Sequence, residues 1–226
     1  MEVLQLLAST GREMSGVEIS KELNIEKTKV NRILKTLAYL GFAMVSSNRK
    51  YSLGPAIHVL SAQILYGSGL IRNAFKYLVE LTELEVVVAM GVLWRDKVAY
   101  TYHWHPGILP TDGLGRTELF PATQSSIGIA LLAEKEDEQI ASIINFEKPI
   151  PGFETKNDFL EAIEEARTNG YGKAVFEKHS SIAFKLGNPA YAAVALAHIE
   201  NKKPMSDYLK ILQEKAALIE AVGPSY

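Results

Sequence analysis

Arg32 and Asn31 carry the side chains that grip a base edge through paired hydrogen bonds, guanidinium to guanine and carboxamide to adenine. They stand between Thr28 and Lys35 in the segment KTKVNRILKTL, residues 27–37. At about 100° per helical residue, Thr28, Arg32, Lys35 and Tyr39 share one face, with Lys29 and Asn31 on its flanks. Lys27 and Lys29, beside the start of such a helix, suit phosphates. A second basic pair, Arg49 and Lys50, follows the polar turn residues Ser46, Ser47 and Asn48. It could reach phosphate or the minor groove. The chemistry these types and spacings offer is recognition of double-stranded DNA, with no bond made or broken.

Such side chains need a frame. Ser15-Gly16-Val17-Glu18 has the S-x-x-E form of a capping box and starts a helix that ends near Leu23. Asn24-Ile25 makes a turn. The next helix, about 26–40, repeats Val30, Ile33, Leu34 and Leu37 at i, i+3, i+4 and i+7, the pattern of one buried face. Gly41 ends it. Residues 42–45 and 50–53 alternate as two short strands around the basic turn. Preceded by an amphipathic helix over residues 2–9, this is the order of a winged helix-turn-helix.

The charge distribution agrees. Residues 1–53 hold eight basic and five acidic side chains, and the rest of the chain sixteen basic and twenty-one acidic, for a net charge of −2. A basic head on an acidic body suits a head that meets phosphate. The absence of cysteine excludes disulfides, thiolate zinc sites and a cysteine nucleophile. No apolar run is long enough to span a membrane, and MEVLQLLASTGRE lacks the form of a signal peptide, so a cytoplasmic protein is expected.

Residues 56–66 form an apolar helix, too apolar on several sides for a free linker, and are expected to pack against another chain. Gly67-Ser68-Gly69 is the expected boundary. This divides the chain into a DNA-binding domain over 1–54, a linker and dimerisation helix over 55–69, and a second domain over 70–226. In that second domain, helices are expected near 70–83, 124–133, 135–145, 155–168 and 204–221. Strands are expected near 86–93, 97–104, 173–178, 181–186 and 190–199. The long loop 105–121 is rich in proline and glycine. The pattern reads as α+β with a mainly antiparallel sheet.

Pro121 and Thr123 suit a helix start, and Ser125, Ser126 and Gly128 are small enough to admit a ligand to its first turn. Free N–H groups and the helix dipole there favour a carboxylate. Close helix–sheet packing would use the same small residues. Tyr100, Tyr102 and Trp104 form an aromatic strand end beside this pocket. His103 and His105 have a spacing that can bind metal, but no third ligand accompanies them and Pro106 ends the strand. Glu177, His179, Ser180 and Ser181 offer a carboxylate, an imidazole and hydroxyls. Without a G-x-S-x-G turn they do not suggest catalysis, and neither catalytic residues nor a cofactor is expected.

The chain resembles the IclR family of transcriptional regulators over nearly its whole length. Residues 27–37 look like the family's recognition helix, and YSLGP (51–55) its wing exit. PATQSSIGIALLA (121–133) is similar to its effector-domain segment, and NGYGKAVFE (169–177) and PAYAAVALA (189–197) to its later strands. The resemblance implies a winged helix, a linker helix and a GAF-like or profilin-like sensor domain. It also implies a homodimer or dimer of dimers, and control of a catabolic operon by a small organic effector, often a carboxylate. On this basis Lys27, Thr28, Lys29, Asn31, Arg32, Lys35, Arg49 and Lys50 are the expected DNA contacts. Tyr100, Tyr102, Ser125, Ser126, Ile127 and Gly128 are the expected effector contacts. Thr123-Gln124 stand where the family often has His-Ala, Ile129 where it has a basic residue, and HSSIAFK (179–185) where it has Gly-x-x-Cys. These departures, with Ala195 and Ala197 on the last strand, point to a more apolar pocket or a different effector. The alternative is a constitutive DNA-binding dimer whose sensor is vestigial.

Overall fold

The computed structural model describes residues 1–67, 69–115, 118–176, 179–199 and 203–223. Ser68 of the expected boundary, with Glu177 and Lys178, lies outside the described residues. The chain forms two compact units, Met1–Ser68 and Gly69–Tyr226.

The first unit runs α1 (Glu2–Thr10), β1 (Met14–Ser15), α2 (Gly16–Glu22), α3 (Lys27–Tyr39), β2 (Ala43–Val45), β3 (Lys50–Leu53) and α4 (Pro55–Gly67). Val3 and Leu7 of α1, Met14, Ile19 of α2, and Val30 and Leu34 of α3 form its core. Ile33 and Leu37, expected in the buried face, pack at the margin of that core. The capping box at α2 is complete: Ser15 N–H donates to Glu18 Oε2 (2.7 Å) and Glu18 N–H to Ser15 Oγ (3.2 Å). Asn24, at φ 50°, turns the chain between α2 and α3. At the end of α3, Gly41 N–H donates to the Ala38 carbonyl (3.1 Å) and Phe42 N–H to that of Leu37 (2.8 Å), a Schellman closure.

A three-stranded sheet in the order β1-β3-β2 makes the wing. Strand β1 escapes sequence reading because two residues are too few to show alternation. Gly54 ties the wing root to the end of α3. Its N–H donates to the Phe42 carbonyl (2.9 Å). A β carbon on it would lie 2.2 Å from the Gly41 carbonyl oxygen, so only glycine lets the two backbones meet.

Glu18 gives this unit a pH signature. Its carboxyl is held down to about 2 from the ordinary 4.5, first by the Ser15 backbone donor, then by the Ser15 hydroxyl and by Arg12. A carboxyl depressed on folding stabilises above its unfolded value, and the contribution is lost as pH falls toward the folded value. The stability difference between wild type and Glu18→Gln is therefore expected to be constant above about pH 5 and to shrink toward pH 2. Urea unfolding across that range checks it, and a difference independent of pH contradicts it.

The second unit continues with α5 (Leu70–Thr82), β4 (Val87–Trp94), β5 (Lys97–Trp104), β6 (Leu119–Pro121), α6 (Ser126–Ala133), α7 (Asp137–Ile143), α8 (Lys156–Asn169), β7 (Gly172–Phe176), β8 (His179–Leu186), β9 (Ala192–Ile199) and α9 (Met205–Ala221). Helix α6 begins two residues later than expected because Ala122–Gln124 form a 3-10 turn. The sheet has six strands in the order β6-β5-β4-β9-β8-β7, and each neighbouring pair is antiparallel. Alternation sorts β4 and β9 between two cores. Val88, Met90, Val194 and Leu196 pack with Leu78 of α5 and Leu212 of α9. Ala89, Ala193 and Ala195 pack with Ile127 and Leu132 of α6 and Phe159 and Ile163 of α8. The small side chains on the second face let α6 lie close to the sheet.

Two irregularities break the alternation. Gly91 pairs with Tyr100 and Met90 with Tyr102, which leaves Thr101 over as a bulge. Its hydroxyl donates to the Met90 carbonyl (3.1 Å). Between β8 and β9 the register shifts between Ser180 and Ile182, and His198 stands there at φ 54°. Each bulge turns the next side chains to the other face of the sheet.

Candidate nucleic-acid interface and ligand cavity

Lys27, Thr28, Lys29, Arg32 and Lys35 of α3 are exposed, as is Tyr39 at its end. Asn31 is half-buried. Gly16, the first residue of α2, has no β carbon, and one placed there would sit 2.7 Å from Asn31 Oδ1. The carboxamide thus lies in the seam between α2 and α3, while Arg32 faces outward. Arg12 is paired with Glu18 (3.0 Å). By contrast, among the described residues Lys27, Lys29, Arg32, Lys35, Arg49 and Lys50 hold no carboxylate partner. Cations without intramolecular partners lose no ion pair on meeting phosphate, and they repel one another until they do.

The wing tip is built at a cost. Arg49 N–H donates to the Ser46 carbonyl (2.9 Å) and Ser46 N–H to the Lys50 carbonyl (2.9 Å). Arg49 itself sits at φ 56°, the position where hairpins of this form favour glycine. Arg49→Gly is expected to stabilise the unit by about 1 kcal/mol. The same change should weaken DNA binding and lower the salt slope by about one phosphate contact. Thermal unfolding and salt-titrated binding test the pair of effects, and a variant with unchanged DNA affinity would remove Arg49 from the interface.

The second unit holds a cavity of about 480 Å³ between the sheet and the start of α6. Tyr100, Ser125, Ser126 and Ile127 all line it. Ser125 is the residue before α6, yet its hydroxyl caps no backbone group and instead faces Tyr100 Oη at 3.2 Å. Ser126 is 3 % exposed. Thr123 is turned away, donating to the Pro151 carbonyl (2.7 Å).

Two expected contacts lie elsewhere. The Thr101 bulge puts Tyr102 on the opposite face, fully buried with Phe75 and Met90, where desolvation raises its phenol to about 12. Trp104 follows it into that core. Gly128 is not a lining residue. A β carbon there would meet the Ala122 carbonyl oxygen at 2.0 Å, so it serves close packing of α6 on the preceding turn.

In their place the bulges bring in His103, His179 and His198. His103 lies edge-on to Tyr100, ring centroids 5.3 Å apart, and His179 stacks on His198 at 4.7 Å and 16°. The lining therefore sets three imidazoles beside the expected Ala195 and Ala197. No sequence pattern joins these histidines, because the register shifts that gather them leave no periodic trace. His105 is exposed, its Nδ1 3.0 Å from the Pro106 carbonyl, away from His103. Among the described residues no cluster of three or more His, Asp or Glu is arranged to hold a metal. No helix is long and apolar enough to cross a membrane among the described residues.

Residues 1–44 match the sequence profile of the IclR helix-turn-helix domain. Two curated relatives bear the name HTH-type transcriptional regulator KdgR. The one from Escherichia coli is 27 % identical over 186 residues, covering 76 % of this chain and 69 % of that protein. The one from Dickeya chrysanthemi is 27 % identical over 183 residues, covering 76 % and 59 %. Among solved structures, an IclR family transcriptional regulator from Brucella abortus aligns at a TM-score of 0.75, with 20 % identity over 99 % of this chain and 90 % of that one. An IclR homologue from Microbacterium hydrocarbonoxydans, complexed with 4-hydroxybenzoate, aligns at 0.68, with 17 % identity over 98 % of each chain. At these identities the structural likeness speaks for the fold.

Proposed function

We propose that the chain is an IclR-family transcriptional regulator that acts as a ligand-responsive switch on one operator. Helix α3 reads the major groove through Thr28, Arg32 and Lys35, with Asn31 on the flank and Lys27, Lys29, Arg49 and Lys50 on phosphates. The observation that carries this reading is the set of outward cations on α3 and the wing that hold no carboxylate partner among the described residues. The ligand is a small organic carboxylate that occupies the cavity at the start of α6. Bound 4-hydroxybenzoate in the Microbacterium homologue supports that class. A cavity of about 480 Å³, apolar with a few polar side chains in its lining, speaks against a vestigial sensor.

The protein works in the cytoplasm as a homodimer or a dimer of dimers on a catabolic operon. Two recognition helices must reach half-sites separated by whole turns of DNA, so a ligand that alters their spacing alters affinity. Val59, Leu60 and Ile64 of α4 are exposed, which supports that helix as the dimer contact. Leu60→Asp is expected to make the protein monomeric in sedimentation and to abolish specific DNA binding. A dimer of unchanged operator affinity would refute the contact.

The test of the function is a thermal-shift screen against small carboxylates, followed by operator binding with and without the best hit. A true effector raises the melting temperature and changes operator affinity. A hit that stabilises but leaves affinity unchanged supports the constitutive alternative.

A further inference from the structure

A second cleft of the same unit, about 270 Å³, lies between β7 and α8. Ala162, Glu165, Ala166 and Asn169 line it from α8 at i, i+3, i+4 and i+7, so one face of that helix forms a wall. From β7 the lining residues are Lys173, Ala174 and Val175, which are consecutive. Consecutive strand residues point their side chains to opposite faces, so what these three share with the cleft is the edge of the strand.

That edge is open among the described residues. Strand β7 ends the six-stranded sheet and pairs with β8 alone. The Ala174 carbonyl accepts from Ser181 Oγ of β8 (3.1 Å), so it points into the sheet. Alternation then turns the N–H and C=O of Lys173 and Val175 outward, toward the cleft. The opposite edge of the sheet is blunted, because β6 has three residues and ends in Pro121, which lacks an N–H. An open strand edge facing a helix across a cleft is an arrangement that takes an extended peptide as an added strand.

Charge and face select the occupant. Gly172 faces α6, since a β carbon on it would lie 2.3 Å from the Ser126 carbonyl oxygen. Ala174 shares that face, while Lys173 and Val175 take the other. A second copy of β7 complements this edge poorly. Paired antiparallel about Ala174, it would set Lys173 beside Val175 and turn two Glu165 carboxylates toward each other. A complementary strand carries an apolar residue opposite Val175, a basic one opposite Ala174 and an acidic one opposite Lys173. The basic stem lies over Ala162 and Ala166 while its head meets Glu165. Val175, 63 % exposed, gains an apolar neighbour across the strands.

We propose that the cleft between β7 and α8 docks an extended segment of a partner protein by strand addition, and reads in it the triplet Val or Ile, then Lys or Arg, then Asp or Glu. The outer two residues exchange N–H···O bonds with Val175 and Lys173, and the N–H of the central residue points away from β7. The site is independent of the reading of the larger cavity as a sensor.

The experiment uses the full chain and the acetylated, amidated peptide Ser-Thr-Val-Lys-Glu-Thr-Ser, with fluorescence anisotropy as the readout. The expected result is saturable binding that weakens about tenfold when the peptide's Val or Glu is N-methylated, because a backbone donor is lost. N-methylation of its central Lys should leave affinity unchanged. Glu165 is exposed, so Glu165→Lys keeps the fold. That variant should lose the parent peptide and bind Ser-Thr-Val-Glu-Glu-Thr-Ser instead. Absence of saturable binding by the parent peptide, or equal loss on methylating any of the three residues, overturns strand addition. A peptide that dissociates the protein's own oligomer in sedimentation assigns the edge to a second copy and overturns the partner.

Discussion

Gly128→Ala is expected to destabilise the second unit by about 3 kcal/mol, at the upper end for overpacking by one methyl group. In a unit of this size that lowers its melting temperature by roughly 10 °C. The reason is the kind of atom the new β carbon would meet. The Ala122 carbonyl oxygen lies 2.0 Å away and the Ala122 Cα 2.5 Å away, both backbone, so no side-chain rotation relieves the clash. Helix propensity pushes the other way, because alanine in place of glycine inside an exposed helix gains about 1 kcal/mol. The sign of the change therefore decides what the glycine is for. If it kept space for a ligand, alanine would leave the melting temperature unchanged or higher and weaken only ligand binding. If it keeps α6 against the 122–124 turn, as the contacts indicate, the unit loses stability before any ligand is added. Differential scanning calorimetry of the free protein separates the two.

Arg32→Ala carries the second large effect. On the true operator it should cost about 1–3 kcal/mol, a loss of roughly tenfold to a hundredfold, and relax base choice at one position in each half-site. Arg32 is exposed in the second turn of α3 and holds no carboxylate among the described residues, so its removal leaves the fold of the head intact. Lys29→Ala, on the flank of the same helix, should instead weaken random and specific DNA alike. Equal losses on both DNAs for Arg32→Ala would reassign it to the backbone.

Much of the head was legible because its signals are local. The S-x-x-E box, the 3.6-residue spacing of Val30 and Leu34, and Gly41 after the helix each act within a few residues, and each appears in the structure. The antiparallel sheet of the second unit was legible for the same reason, since its strands alternate or run apolar between clear breaks. The cavity was legible at Tyr100 of β5 and on its α6 side, where Ser125, Ser126 and Ile127 are consecutive. Its other walls depend on register. One extra residue, Thr101, sends Tyr102 to the far core and His103 to the cavity. The shift at Ser180/Ile182 accompanies the pairing of His179 with His198 across β8 and β9. A bulge moves every later side chain by one face, and nothing in residue type announces it. Likewise Asn31 satisfies every requirement for reading adenine as a residue type, yet only the packing of α2 on α3 places it beside Gly16.

Sequence-specific reading by α3 is tested most directly by selection of its DNA site. Purified full-length protein is used to select from a pool of random duplexes, alongside Arg32→Ala and Arg49→Gly. The expected result for the wild-type protein is one enriched inverted repeat, its half-site centres a whole number of helical turns apart. Arg49→Gly should enrich the same motif with lower affinity, and Arg32→Ala should lose base preference at one position per half-site. A pool left unenriched by the wild-type protein, or the same motif enriched equally by Arg32→Ala, would contradict it.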